Sequence, residues 1–359
     1  MTGGCRPCRW PPRPVLSCMS KRPELEVFAP LWWSGRKTQG NGLFLPKRRD
    51  PSSLSHYRPV SMCNFPYKVL ASIINRRLSS FLPRWVAPEQ HGFVKNRSIQ
   101  GAMAMSQEML RDLNISARGS NVVINLDMNK AYDRMEWGFM NRVLAKMGVS
   151  RWACDIIFRC VSSSWISVSF MGRSYGFFKT VRGLRQGDPL SPSLFIIMQD
   201  TLSRMINKGV RDGAILPYRR KHGLAPVSHL MFADDTIVFI NGGQKSLREL
   251  NRILEEYYFW SGQIINREKS SLFLPSACNL NRATRMGSVL GMGRGSFPLE
   301  YLGTPISMGR TRIRDFDRVV NRISDRILNW KNHFLSFGGR ITLVNSVLSA
   351  IPVHALASS

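Results

Sequence analysis

Two aspartates stand side by side between two apolar runs in His229-Leu230-Met231-Phe232-Ala233-Asp234-Asp235-Thr236-Ile237-Val238-Phe239-Ile240. Each run is too short for a helix and is made of residues that suit strands. The simplest geometry is a β-hairpin with the Asp pair at its tip. Adjacent like charges repel, and burying them unpaired is costly. A fold keeps such a pair as a solvated turn, which Asp favours, or because bound cations neutralise it. Taken alone the stretch favours the solvated turn. The rest of the chain reverses that reading.

The 359 residues suffice for two or three structural units and a sizeable core. Lys and Arg number 51 against 23 Asp and Glu, a net charge of +28. The excess runs through the whole chain, so it points to a polyanionic partner. Nucleic acid comes first and an anionic membrane surface second. The seven cysteines, Cys5, Cys8, Cys18, Cys63, Cys154, Cys160 and Cys278, are odd in number and scattered. They outline no disulfide framework and imply a reducing compartment. Cys5-x-x-Cys8 lacks the second Cys/His pair of a zinc site. No apolar run approaches the roughly 18 residues that cross a bilayer, and the first 20 residues lack the apolar segment of a signal peptide. The expectation is a nuclear and cytoplasmic protein with no membrane partner.

Residues 1–40 show no period and contain Pro11, Pro12 and Pro14, so they read as a disordered or artificially joined leader. Order is expected from Gly42. Apolar residues at helical spacing predict helices from Tyr67 to Leu82 and from Ile99 to Asn114. In the second, Met103, Met105 and Met109 read as core packing. Between them lies a basic loop, Gln90 to Ser98, containing Arg97. Val122 to Asp127 is a strand ending in a carboxylate. Lys130 to Lys146 reads as loop and then helix. Residues 152–170 give a helix and a strand, with a hairpin through Gly172 leading to Phe177–Val181. The loop Gly183 to Pro192 opens a helix to about Asn207, Pro192 being tolerated in its first turn. After the Asp-Asp hairpin, Leu247 to Trp260 is helical and Ile264 to Phe273 resembles another strand. This alternation without repeats predicts an α+β fold. Further on, Arg314, Arg318, Arg322 and Arg326 recur every four residues, which lines them along one helix face suited to phosphate contact. A last helix is expected from Gly339 to Leu348.

Three carboxylates therefore matter: Asp127 at one strand end, Asp234 and Asp235 at a hairpin tip. If the strands are neighbours, the carboxylates converge. Hard oxygen ligands on rigid strands suit Mg²⁺. Two such ions can activate a 3′-hydroxyl and stabilise a leaving pyrophosphate. The basic charge fits a held template and primer.

Three segments carry a resemblance: Leu126-Asp127-Met128-Asn129-Lys130-Ala131-Tyr132-Asp133, Gly183-Leu184-Arg185-Gln186-Gly187-Asp188-Pro189-Leu190-Ser191-Pro192, and Phe232-Ala233-Asp234-Asp235. In this order they resemble motifs of reverse transcriptases, specifically the non-LTR (LINE-type) retrotransposon group and above all its plant members. Leu45-Pro46-Lys47, Arg58-Pro59-Val60-Ser61, Gln90-His91-Gly92-Phe93, Ser261 to Asn266 with Lys269-Ser270, Tyr301 to Pro305 and Gly338-Gly339-Arg340 agree in sequence order.

The resemblance implies an α+β right-hand polymerase that copies RNA into DNA. Fingers would span 41–120, a palm with an antiparallel sheet and the catalytic carboxylates 121–275, a connection 276–310, and partial thumb helices 311–359. It implies Asp127 and Asp234 as metal ligands, with Asp235 completing the cluster and the Met128 carbonyl as a further ligand. The ions would be two Mg²⁺, with Mn²⁺ as a substitute. Lys47 and Arg58 would meet the triphosphate, and Gln186 and Gly187 would line the nucleotide and template pocket. Tyr132 would lie beneath the sugar as a steric gate, and Lys269 would serve as acid for the pyrophosphate. Arg97 and the four-arginine stripe would contact nucleic acid. The partners would be an RNA template, a DNA primer and deoxynucleoside triphosphates. Asn129 stands where serine is more usual, and no endonuclease, RNase H or Cys/His knuckle accompanies the domain, so the chain reads as a piece of a longer polyprotein. A catalytically inactive nucleic-acid-binding remnant and an intron-encoded maturase are the alternatives.

Overall fold

In the computed structural model the described residues are 38–46, 52–53, 56–170, 173–221, 227–308, 316–317, 320–321, 323–324 and 336–345. The chain opens with β1 (Thr38–Pro46) and β2 (Tyr57–Met62), followed by α1 (Phe65–Ser79) and α2 (Leu82–Trp85). Pro66 in the first turn of α1 lacks only an N–H that the helix would leave unbonded there, and Arg76 and Arg77 in its last turn face the negative end of the dipole. α3 (Ile99–Arg111) starts where the Ser98 hydroxyl accepts the Gly101 N–H. Next come β3 (Asn121–Leu126), α4 (Ala131–Arg134), α5 (Trp137–Lys146) and α6 (Arg151–Ser162), the last capped by Ser150. β4 (Ser164–Phe170), β5 (Arg173–Lys179) and α7 (Ser191–Arg211) follow. β6 (His229–Phe232), β7 (Asp235–Asn241), α8 (Gln244–Ser261) and β8 (Ser271–Phe273) lead to α9 (Leu280–Leu290). β9 (Gly293–Arg294), β10 (Leu299–Tyr301), β11 (Thr304–Ile306) and α10 (Phe337–Leu343) end the described elements.

Two compact units interleave along the chain. The first takes the described residues of Met1–Lys95 with Met128–Lys208 and Arg252–Ile265; the second takes Asn96–Asp127, Gly209–Asn251 and the described residues of Asn266–Ser359. In the first, a four-stranded sheet runs β2-β1-β4-β5, with β1 antiparallel to β2 and parallel to β4. Its helices bury Tyr67, Leu70, Ile74, Phe139, Leu144, Ile157, Phe195 and Ile196.

In the second unit a five-stranded sheet runs β6-β7-β3-β8-β9, with β3 antiparallel to both β7 and β8. Val122, Val123, Ile124 and Leu126 of β3 are all buried, so both faces of this central strand are covered, as its apolar run, broken only by the half-buried Asn125, requires. Met109, Val123, Leu230, Ile237, Phe239, Phe273 and Tyr301 form its core with Tyr218, whose hydroxyl donates to the Met109 carbonyl at 2.9 Å. Met103 and Met109 are fully buried and Met105 packs against the core, as core packing requires.

One expected strand is much shorter than its apolar pattern. Of Ile264 to Phe273, only Ser271–Phe273 is a strand, and Ile265 makes a lone bridge to Met128. The polar run Asn266-Arg267-Glu268-Lys269 folds into a turn: the Lys269 N–H donates to Asn266 Oδ1 at 3.3 Å and the Ser270 N–H to the Asn266 carbonyl at 2.9 Å. Asn favours such self-bonded turns over a ladder. The first 37 residues of the expected leader, with Cys5, Cys8 and Cys18, Lys47 and the stripe of Arg314, Arg318, Arg322 and Arg326 lie outside the described residues, as does the end of the helix expected to reach Leu348. Thr38–Gly40, expected to belong to the leader, instead open β1, held by pairing with Ser164–Ile166 of β4.

Candidate active site

The acidic cluster belongs to the second unit and follows from strand register. Asn125 pairs with Ile237 and Leu126 with Thr236, so the next step brings Asp127 opposite Asp235. β6 and β7 close with Phe232 against Asp235, leaving a two-residue turn, Ala233-Asp234. The tip is thus Ala233-Asp234, and Asp235 is the first residue of β7 rather than part of the turn. Ala233 adopts φ 55. A two-residue hairpin demands a left-handed residue that is ordinarily glycine, and holding alanine there costs on the order of 1 kcal/mol. The buried strands on either side keep it in place.

Asp127 is held by its backbone. Its N–H donates to Ser270 Oγ at 3.0 Å, and its carbonyl accepts the Asn266 N–H at 2.8 Å. Partial burial raises its pKa; Lys269 opposes that, Asp234 adds to it and a hydrogen bond from Asn266 opposes it. Asp235 reaches solvent, yet desolvation by its packed surroundings, then the charges of Asp234 and Asp127, push it up to about 6. Lys269 is exposed on the turn before β8, within electrostatic reach of Asp127. Asp127, Asp234, Asp235 and Lys269 are therefore brought together.

Among the described residues no three Asp, Glu, His or Cys side chains form a ready-made metal-ligand group. Even so, the donor chemistry fits a divalent cation. The charge of Asp234 raises the proton affinity of Asp127 and of Asp235, and a cation relieves that repulsion with water and substrate oxygens completing its shell.

The first unit holds the other expected residues. Gln186 is half-buried and its carbonyl accepts the Ser61 N–H of β2 at 2.9 Å. Gly187 sits at φ +96, where a Cβ would stand 3.1 Å from the Ser61 carbonyl oxygen. It is glycine for conformation and for close approach together. Arg58 is exposed on β2, opposite Leu45. Tyr132 is half-buried and its ring stacks on Phe195 at 4.7 Å and 14°. Its carbonyl accepts the Leu184 N–H at 2.7 Å, while the Gly183 N–H donates to the Met135 carbonyl at 2.8 Å. The segments bearing Tyr132 and Gln186 are thereby stitched together. Met128 is buried beside the Ile265 bridge. In the second unit, Arg97 is half-buried just before the Ser98 cap of α3.

Sequence reasoning missed Asn266 and Ser270 as the supports of Asp127; their polar spacing before an apolar run was the available signal. Tyr301 was also missed. It is 2% exposed, its hydroxyl has no hydrogen-bond partner among the described residues, and burial and then Asp235 raise its pKa.

The profile of the family described as reverse transcriptase (RNA-dependent DNA polymerase) matches residues 45–306. The retrovirus-related Pol polyprotein of the type-2 retrotransposable element R2DM of Drosophila melanogaster is 29% identical over 197 residues, covering 55% of this chain and 18% of that one. The transposon TX1 uncharacterized 149 kDa protein of Xenopus laevis is 24% identical over 312 residues, 85% of this chain and 23% of that one. An uncharacterized mitochondrial protein of Arabidopsis thaliana is 42% identical over 65 residues, 18% of this chain and 53% of that one. The chain thus spans well under two thirds of each of these relatives. The telomerase from Candida tropicalis, solved in complex with a TWJ fragment of telomeric RNA, superposes with a TM-score of 0.51 at 14% identity. That match covers 92% of this chain and 56% of the telomerase and shows a shared right-hand polymerase fold. The chain belongs to the reverse transcriptase (RNA-dependent DNA polymerase) family, as a reverse transcriptase domain of the non-LTR retrotransposon type.

Proposed function

We propose that this chain copies retrotransposon RNA into DNA, extending the 3′-hydroxyl of a DNA primer on an RNA template with deoxynucleoside triphosphates. The observation that carries the reading is the convergence of Asp127, Asp234 and Asp235 at one end of a sheet with a buried core. Asp127 and Asp234 would hold two Mg²⁺ ions, or Mn²⁺ in their place, with Asp235 and the Met128 carbonyl completing the protein's share. Bound metal there supplies activation of the primer hydroxyl and charge neutralisation for the pyrophosphate.

The chain's own residues orient and bind. β3 and β7 hold the carboxylates rigidly, so little reorganisation is needed when charge develops. Arg58 meets the triphosphate as a cationic donor, as Lys47 would by sequence. Gln186 and Gly187 line the nucleotide and template pocket. Tyr132 lies beneath the sugar and leaves no room for a 2′-hydroxyl. Lys269 offers a proton to the departing pyrophosphate. Arg97 and the arginine stripe contact the nucleic-acid backbone, supported by the net charge of +28. A plant lineage is supported by the local likeness to the Arabidopsis protein.

Primer extension on poly(rA)/oligo(dT) with dTTP and Mg²⁺ tests the reading, run beside filter binding of the same duplex. Extension that stops when the metal is chelated is the expected result. Binding with no extension under any divalent metal would instead identify a nucleic-acid-binding remnant.

A further inference from the structure

The loop carrying Gln186 and Gly187 is flanked by two charged residues that turn into the protein. The side chains of Arg185 and Asp188 are 8% and 1% exposed, and their charged groups meet at 3.3 Å. Asp188 also accepts the hydroxyl hydrogen of Tyr67, a fully buried residue of α1, and the Leu190 N–H at 2.9 Å. The Arg185 guanidinium lies 4.2 Å from the Tyr67 ring centroid and donates to the Cys160 carbonyl at 2.7 Å. A buried ion pair is expensive unless its spare donors and acceptors are matched, and even then it adds little stability over apolar packing. The network therefore makes most sense through the geometry that it fixes.

That geometry joins the loop to β2. Tyr67 follows closely on the end of β2 at Met62. Between the anchors, the Ser61 N–H donates to the Gln186 carbonyl and Gly187 presses against Ser61. β2 is also the strand that carries Arg58.

We infer that Tyr67, Arg185 and Asp188 are positioning residues that clamp the Gln186–Gly187 loop onto β2 and so set the spacing between loop and Arg58. The inference rests on the proposed reading that Arg58 and Gln186 meet the incoming nucleotide. The three residues act through the loop backbone and touch no substrate. Burial pushes the Tyr67 phenol well above its ordinary range, so it remains a donor to Asp188.

Tyr67→Phe keeps the ring under Arg185 and removes only the hydroxyl. In primer extension with the full chain, the KM for dTTP should rise on the order of tenfold, the scale of one lost hydrogen bond to a charged group. kcat and template–primer affinity should change little. Arg185→Lys keeps the charge but loses the planar stack, and should raise the same KM. Hydrogen exchange at the Ser61 amide should quicken in both variants while β3 and β7 stay protected. Arg58→Ala separates this inference from the reading beneath it. If Arg58→Ala leaves the KM for dTTP unchanged, the nucleotide-pocket reading fails first. If Arg58→Ala raises that KM while Tyr67→Phe only lowers the melting temperature, the network is merely structural and the inference is overturned. Loss of folding in both conservative variants overturns it equally, because positioning requires a folded protein with a misplaced loop.

Discussion

The two main sheets are built to opposite specifications. In the second unit β3, β6 and β7 are buried almost throughout, and charge appears only where strands end, at Asp127, Asp234 and Asp235. In the first unit the four-stranded sheet exposes Leu45, Arg58, Met62, Arg173, Tyr175, Phe178 and Lys179, and β4–β5 carries a register irregularity between Ile166 and Val168. A sheet covered on both faces cannot slip register without moving its apolar side chains into water, so it suits groups that must be placed to a fraction of an ångström. A partly open, basic sheet suits contacts that tolerate adjustment, such as those to phosphates. The contrast predicts that substitutions at the acidic tip act on chemistry, and substitutions in the first unit act on binding and selection.

The largest effect should come from Asp234→Asn, which keeps shape and removes a charge at the hairpin tip. Primer extension should fall by about 10³-fold or more, the scale of several kcal/mol of lost transition-state stabilisation. Filter binding of template–primer should persist. Near-normal extension would break the contrast at its strongest point, since the rigid sheet would then hold nothing the reaction needs.

Tyr132→Ala probes the first unit and should have a smaller effect on rate. The ring is half-buried and stacked on Phe195, so its loss should cost about 2–3 kcal/mol in stability. A gate also predicts that ribonucleotide incorporation relative to deoxyribonucleotide rises on the order of tenfold, because exclusion by bulk is removed. Thermal melts and the incorporation ratio belong on one preparation. A stability loss with an unchanged ratio would reduce Tyr132 to a packing residue.

How far each part could be read in advance follows the same divide. β3 and the hairpin were legible because short apolar runs buried on both faces leave a plain pattern, although the turn is Ala233-Asp234 and not the Asp pair expected at the tip. The strand expected over Ile264–Phe273 failed because apolar residues at its ends outweighed the turn-forming Asn266, whose side chain bonds the Lys269 N–H instead. The acidic cluster was legible from residue type, yet its supports were not: Ser270 reaches Asp127 from 143 positions away. The clamp was hidden for the same reason, since Tyr67 and Asp188 are 121 positions apart and each alone looks like an ordinary helix or loop residue. Period and composition report local burial; they do not report which buried polar groups find each other.

The smallest effect is one of pH, and it returns to the strand end that carries Asp235. Desolvation and the charges of Asp234 and Asp127 hold this carboxyl at about 6, against an ordinary 3.8. A folded-state value above the unfolded one means that folding disfavours the ionised form. The contribution of this group to stability is fully present below about pH 3.8 and is lost as pH rises through about 6. Above that range the native protein carries a charge it would fold better without. Asp235→Asn should therefore melt at a higher temperature than the native chain at pH 7.5, being more stable by about 1 kcal/mol once solvent screening of this exposed side chain is allowed for. The gap should close towards pH 4. Mg²⁺ at pH 7.5 should narrow it too, because a cation stabilises the chain with more carboxylates to offer. Melts at the two pH values, with and without the metal, decide the matter. A gap that ignores both would mean that the three carboxylates at this end of the sheet do not sense one another, and the acidic tip would be no more than a solvated turn.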